Sequence, residues 1–222
     1  MSSIGNVLAG RSILVQVKSP INGQLTVVRD IAWGTYIKAG GVTQSGGVAN
    51  KVWNTVLKIA KKRKHVVSKC LVLGLGGGGI VSVVKRYWKD AKIVGVDVDS
   101  VIVELGKKYL GLDPCDVEIV IDDAVSFLRR NSKKGEGDKK GVYDLICNDV
   151  YVGTDVPEKF TKEGYIKNLK NNLAKDGIAI FNRLYYGEKR AEALQFGKKL
   201  EKYFSEVKVV YPEANVMFLC ER

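Results

Sequence analysis

The run Cys70-Leu-Val-Leu-Gly74-Leu-Gly76-Gly77-Gly78-Gly79-Ile80 decides the fold. Four apolar residues stop in five glycines within six positions, and amphipathic sequence follows. That pattern predicts a buried strand, a tight turn and the start of a helix. A turn of this kind brings bare backbone close to a ligand, with no Cβ in the way. The N–H groups and dipole of a helix N-terminus then favour a negative group. A glycine-rich turn without a ligand is the competing reading of the stretch taken alone.

Outward from this stretch, strands and helices alternate. On its C-terminal side the patterning predicts strands at Lys92–Val96, Val117–Ile121, Tyr143–Asn148 and Ile178–Asn182. Between them fall helices at Val101–Leu110 (Ser100 its cap), from Asp122-Asp123-Ala124 through Arg130, and at Lys162–Ala174. A helix at Glu188–Phe204 and a hairpin, Val207–Tyr211 with Val216–Cys220, close the chain. On the N-terminal side, Val48–Arg63 has the 3.6-residue period of a helix. Before it lie three short strands, Ile13–Val17, Leu25–Arg29 and Gly34–Lys38, then a flexible glycine-rich connection from Gly40 to Gly47. The expected architecture is α/β: a Rossmann-like, mostly parallel seven-stranded sheet ending in an antiparallel hairpin. The expected division is a small β region at 1–46 and a ligand-binding catalytic domain at 47–222.

Composition narrows the function. The 222 residues are 45% hydrophobic, enough for one substantial core. No apolar run reaches the roughly 20 residues of a membrane span. No signal-peptide pattern opens the chain, so a cytoplasmic location and no membrane contact are expected. Cys70, Cys115, Cys147 and Cys220 are far apart and read as free thiols, mostly buried. His65 is the single histidine, which argues against a His-based metal site or a Ser-His-Asp triad; no metal is expected. The net charge of +12 suits an anionic partner. The densest cluster, Lys58 to Lys64, ends a helix, where cations suit the dipole anyway. A second group, Lys133, Lys134, Lys139 and Lys140, shares its loop with Glu136 and Asp138. The charge leaves nucleic acid open as a partner, but no nucleic-acid motif accompanies it.

In such a sheet, ligands sit at the carboxyl ends of the strands, where strand order reverses. The residues there are Gly74, Gly76, Gly77 and Gly78, then Asp97 and Val98, then Asp122, Asp123 and Ala124, then Asp149. The glycines fit a dinucleotide loop (Gly74, Gly76, Gly79) and the looser loop of S-adenosylmethionine (SAM) enzymes (Gly74, Gly76, Gly78). Asp97 is placed to accept both ribose hydroxyls, and Asp123 to accept from the adenine amine. Helix capping competes for Asp122 and Asp123; one can cap while the other binds. Three acidic strand ends would repel a pyrophosphate and attract a sulfonium, which favours a SAM-type nucleoside over NAD.

These residues resemble the spermidine synthase (polyamine aminopropyltransferase) family, which has the class I SAM-dependent methyltransferase fold. The likeness lies in Val94-Gly-Val-Asp97-Val-Asp99…Tyr109-Leu110, Asp123-Ala124…Phe127-Leu128 and Tyr143-Asp144…Asp149. It continues in Phe160-Thr-Lys-Glu163-Gly-Tyr165, Leu173…Asp176-Gly177 and Gly34-Thr-Tyr36…Gln44. The resemblance implies SAM or decarboxylated SAM as co-substrate, Gln44 at the nucleoside, Asp149 as base or orienting group, and a homodimer. Tyr151 follows in the same loop as a candidate wall of the acceptor pocket, with an ordinary surface packing role as its alternative.

Three departures are visible. The family's glycine-loop aspartate, which holds the amine of decarboxylated SAM, is Gly77. A second aspartate of the catalytic loop is Val152, and the acidic stretch after the glutamine reads Gly46-Gly47-Val48-Ala49-Asn50…Trp53-Asn54. The expectation is therefore methyl transfer from SAM to an unknown small-molecule acceptor. Aminopropyl transfer is the alternative, and a non-catalytic nucleoside- or nucleic-acid-binding protein is a third reading.

Overall fold

A computed structural model describes residues 10–113, 116–133 and 143–222. Cys115 and most of the predicted loop 131–141, with Lys134, Lys139 and Lys140, lie outside the described residues.

The sheet grown from the glycine stretch has seven strands. In chain order they are β5 (Lys69–Leu73), β6 (Lys92–Asp97), β7 (Glu118–Ile121), β8 (Tyr143–Asn148), β9 (Leu173–Leu184), β10 (Glu206–Val210) and β11 (Asn215–Glu221). Their order across the sheet is β10-β11-β9-β8-β5-β6-β7. The pairs β5–β6, β6–β7, β5–β8 and β8–β9 are parallel; β11 runs antiparallel between β9 and β10. Strand order reverses at β5, so the crevice opens above its glycine turn.

A separate antiparallel sheet precedes it: β1 (Arg11–Ser19), β2 (Gly23–Asp30), β3 (Gly34–Ala39) and β4 (Val42–Gly46). The stretch expected to be a flexible connection is thus mostly strand. Its pairing, Ala39↔Val42 through Tyr36↔Gly46, overrides the low strand propensity of Thr-Gln-Ser-Gly.

Among the described residues, six α-helices complete the layers: α1 (Gly47–Arg63), α2 (Gly79–Tyr87), α3 (Ser100–Tyr109), α4 (Ala124–Lys133), α5 (Glu163–Asn171) and α6 (Lys189–Leu200). One face of the large sheet buries Cys70, Val72 and Cys147 with Trp53, Val56 and Leu57 of α1 and with Leu25 and Ile37 of the small sheet. The other face buries Leu71, Leu73 and Ile146 with α4, α5 and α6. There Phe181 meets Phe196 and Phe204 edge to face, with centroids 5.6 and 6.0 Å apart. Each such pair adds about 1 kcal/mol to its area burial. Cys70, Cys147 and Cys220 are free and buried, and His65 is exposed.

Two local expectations change. Asp99, not Ser100, caps α3: its Oδ1 accepts from the N–H of Val101 at 2.9 Å and of Ile102 at 3.4 Å. Its Oδ2 accepts from Ser19 Oγ at 2.5 Å and Asn22 Nδ2 at 2.6 Å, so one buried carboxylate also ties the small sheet to the large one. The residues between the expected helix Lys162–Ala174 and the expected strand Ile178–Asn182, Lys175-Asp176-Gly177, belong to the twelve-residue strand β9, which also takes Leu173 and Ala174 from the helix. An irregularity in pairing, from Tyr143↔Leu173 to Leu145↔Ile178, absorbs the extra residues.

Candidate active site

The carboxyl ends of β5, β6, β7 and β8 open on a cavity of about 420 Å³. That volume suits a nucleoside-sized ligand. Gly74, Gly76, Asp97, Val98, Asp122, Asp123, Ala124, Asp149 and Tyr151 line it, with Gln44 from β4. These are ten of the twelve residues expected from the sequence. Gly77 and Gly78 are not in the wall. A Cβ on Gly77 would lie 2.7 Å from Leu110 Cδ1 and 2.8 Å from Ile37 Cδ1. On Gly78 it would lie 2.5 Å from Leu112 Cδ1. Both glycines serve the packing of the turn against α3 and its following loop.

The glycine turn is not a phosphate cradle. The N–H groups of Gly74 and Leu75 donate to Val96 O, and that of Gly78 to Leu75 O. Gly76 donates to Asp97 Oδ2 at 2.7 Å, and Gly79 to Ser45 Oγ at 3.3 Å. Donors already committed inside the protein cannot hold a pyrophosphate without breaking those bonds. They instead fix Asp97, whose Oδ1 also accepts from the N–H of Asp99 at 2.9 Å. Burial raises the pKa of Asp97, against the lowering effect of these N–H donors. Each carboxylate oxygen keeps a lone pair for a ligand hydroxyl.

At the far side of β7, Asp123 is the helix cap: its Oδ1 accepts from the N–H of Val125 at 3.0 Å and of Ser126 at 3.1 Å. Its Oδ2 meets the ammonium of Lys159, which also lines the cavity. Asp122 is held by Arg130 and by the Asp123 N–H. Both capping and ligand access therefore fall on Asp123, on different oxygens.

The other end of the cavity is built around Asp149. Its backbone N–H donates to Leu73 O at 2.7 Å, locking it beside the glycine turn. Asn182 Nδ2 donates to its Oδ1 at 2.7 Å, and the indole Nε1 of buried Trp53 donates to its Oδ2 at 2.9 Å. Asn182 is itself oriented by Asn215 Nδ2 at 2.9 Å. Burial raises the pKa of Asp149; the two donors and the charge of Arg183 oppose that. The Tyr151 hydroxyl donates to Asn182 O at 3.2 Å, and burial raises its pKa. Gln44 donates to Gly153 O at 2.8 Å, joining β4 to the loop after β8 across the cavity. Val152, in place of an aspartate, also lines the wall.

Trp53, Asn182, Lys159 and Asn22 lie in the wall without having been singled out as site residues from the sequence. Trp53 reads as a core aromatic on a helix face, and its bond to Asp149 spans 96 positions. Asn182 ends an apolar strand, and that polar interruption was the one available signal. The wall carries Asp97, Asp122, Asp123, Asp149 and Glu213; Asp122 is paired with Arg130, Asp123 with Lys159 and Glu213 with Lys51. Asp97 and Asp149 are the two of these carboxyls with no ion-pair partner among the described residues, so the strand ends carry acidic groups in a chain of net charge +12. No group of metal-ligating side chains occurs among the described residues.

A polyamine aminopropyltransferase of Buchnera aphidicola is 24% identical over 221 residues, covering 96% of this chain and 73% of that protein. The eEF1A lysine and N-terminal methyltransferase homolog of Drosophila melanogaster is 27% identical over 148 residues, 65% of this chain and 22% of that one. Among solved structures, spermidine synthase with the transition state analogue AdoDATO superposes with a TM-score of 0.76. It is 18% identical and covers 94% of this chain and 73% of its own. Human methyltransferase-like protein 13 in complex with SAH gives 0.63, at 21% identity, over 78% of this chain and 79% of its own. The family model for the spermine/spermidine synthase domain matches residues 51–215. The chain belongs to the spermine/spermidine synthase family.

Proposed function

We propose that this transferase moves an alkyl group from the sulfonium of an S-adenosyl nucleoside to an amine, and that the group is aminopropyl, from decarboxylated SAM. The observation that carries the alkyl transfer is Asp149 at the end of the cavity, both its oxygens oriented by fixed donors. The names of the relatives, polyamine aminopropyltransferases from several bacteria, favour aminopropyl as the group. In the step, the amine lone pair attacks the carbon bonded to sulfur. The C–N bond forms as the C–S bond breaks, sulfur leaves as a neutral thioether, and the amine proton passes to Asp149. The protein contributes by holding the two reactants in line and by accepting that proton.

A second reading, methyl transfer from SAM to an amine, is favoured by Gly77. Leu110 and Ile37 fill the space a side chain would need there. Position 77 therefore offers no carboxylate to an aminopropyl ammonium and no repulsion to the carboxylate of intact SAM. The name of the Drosophila relative fits this reading.

Calorimetric titration with SAM, decarboxylated SAM, methylthioadenosine and NAD separates these readings. Tighter binding of decarboxylated SAM supports aminopropyl transfer, and tighter binding of SAM supports methyl transfer. Binding of NAD alone would overturn both. Asp97→Ala is expected to weaken the nucleosides by about tenfold or more, the usual cost of losing hydrogen bonds to a charged acceptor. Unchanged affinity in that variant would refute the ribose assignment.

A further inference from the structure

We infer that Lys159 is a base-reading residue, which donates a hydrogen bond to a ring nitrogen of the adenine while Asp123 accepts from the exocyclic amine. This inference rests on the nucleoside reading of the cavity. Lys159 and Asp123 both line it, at the end of β7. Asp123 spends Oδ1 on the N-terminal N–H groups of α4, at 3.0 and 3.1 Å. The oxygen left for a ligand is Oδ2, and the Lys159 ammonium sits directly on it.

A carboxylate oxygen has two lone pairs, and an ammonium has three protons. The ion pair therefore leaves one acceptor site and at least one donor side by side, within hydrogen-bond distance of each other. Adenine presents the complementary pair, an N6–H donor beside the N1 or N7 acceptor. Side-chain amides read adenine through the same paired acceptor and donor. The ammonium is held in place by more than Asp123. It lies 4.9 Å from the centroid of the Phe160 ring, itself a wall of the cavity. Lys159 is half exposed, so its charge reaches the opening rather than being sealed away.

The test is calorimetry with methylthioadenosine and its 1-deaza and 7-deaza analogues, on the wild type, Lys159→Met and Lys159→Arg. Methionine keeps an unbranched stem over Phe160 and removes the donor; arginine keeps a donor. In the wild type, one of the two deaza analogues is expected to bind about tenfold more weakly than the parent. Lys159→Met should weaken the parent by a similar factor and show no further penalty for that analogue. Lys159→Arg should recover part of the affinity. Parent binding by Lys159→Met that equals or exceeds the wild type would overturn the inference. So would a deaza penalty that persists unchanged in the variant. Failure of the wild type to bind methylthioadenosine at all would instead overturn the nucleoside site, and the inference with it.

Discussion

Asp149→Asn is expected to lower turnover by about 10²- to 10⁴-fold, the range lost with a general base. Nucleoside affinity should hold to within a few-fold, because the carboxylates proposed for ribose and base are others, Asp97 and Asp123. Single-turnover transfer and calorimetry on the same preparation measure the two quantities. A variant that keeps wild-type turnover would remove Asp149 from the mechanism. Asparagine also replaces one of the two accepting oxygens with an NH₂ group, which then faces either the Trp53 indole or the Asn182 amide. A donor left facing a donor costs about 1–3 kcal/mol, so some loss of melting temperature accompanies the loss of rate.

The same carboxyl sets a pH dependence. Burial holds its folded pKa above the ordinary carboxylate value of 3.8. In the proposed step the ionised form accepts the proton, so transfer is expected to fall as pH drops through that raised value. The acid limb of the rate profile should therefore lie above the usual carboxylate range. The linkage to stability has the opposite sense. At a pH below the ordinary value Asp149 is protonated in both states and contributes nothing. As pH rises from the ordinary value to the folded pKa, the carboxyl ionises in the unfolded chain while the buried one still holds its proton, so stability is lost across that interval. Ligand-free protein should lose stability there while catalysis is gained, and a bound sulfonium should narrow the difference by favouring the ionised form.

Gly74→Ala carries the second large effect, on the fold itself. Gly74 has φ of +82°, and a Cβ there would lie 2.2 Å from the carbonyl oxygen of Asp149 and 2.6 Å from its carbonyl carbon. Backbone cannot yield as a side-chain tip does. The left-handed conformation costs about 1–2 kcal/mol and the collision more, for a total of about 4 kcal/mol or greater. Typical domains have about 5–15 kcal/mol in all. The variant is expected to lose most of its cooperative thermal transition or to fail to accumulate as folded protein. A melting temperature within a few degrees of the wild type would show that β5 and β8 can separate at this crossing. The expectation joins fold and site, since the contact that excludes a Cβ is the one that seats Asp149 beside the glycine turn.

Much of this was legible locally. The strand Lys69–Leu73 and its glycine turn announce themselves within eleven residues, because strand burial and turn geometry depend on near neighbours. Acidic residues after consecutive strands could be assigned to one crevice, since parallel strands in an α/β sheet all end on the same side. The sequence by itself therefore determined the α/β sheet, the place of the cavity and the carboxylates Asp97, Asp123 and Asp149.

Tertiary structure alone decided the rest. Strand β4 forms because β3 supplies its partners, and its own residues carry little strand preference. Asp99 outcompetes Ser100 as the cap of α3 because Ser19 and Asn22, about 80 positions earlier, steady its second oxygen. Trp53 becomes a partner of Asp149 only when α1 packs over β5 and β8. Lys159 reaches Asp123 across 36 positions, and Gly77 turns from a ligand contact into a packing site because Leu110 and Ile37 converge on it. In each case the deciding energy lies in contacts between segments distant in the chain, whereas periodicity and turn signals report only what neighbouring residues do to one another.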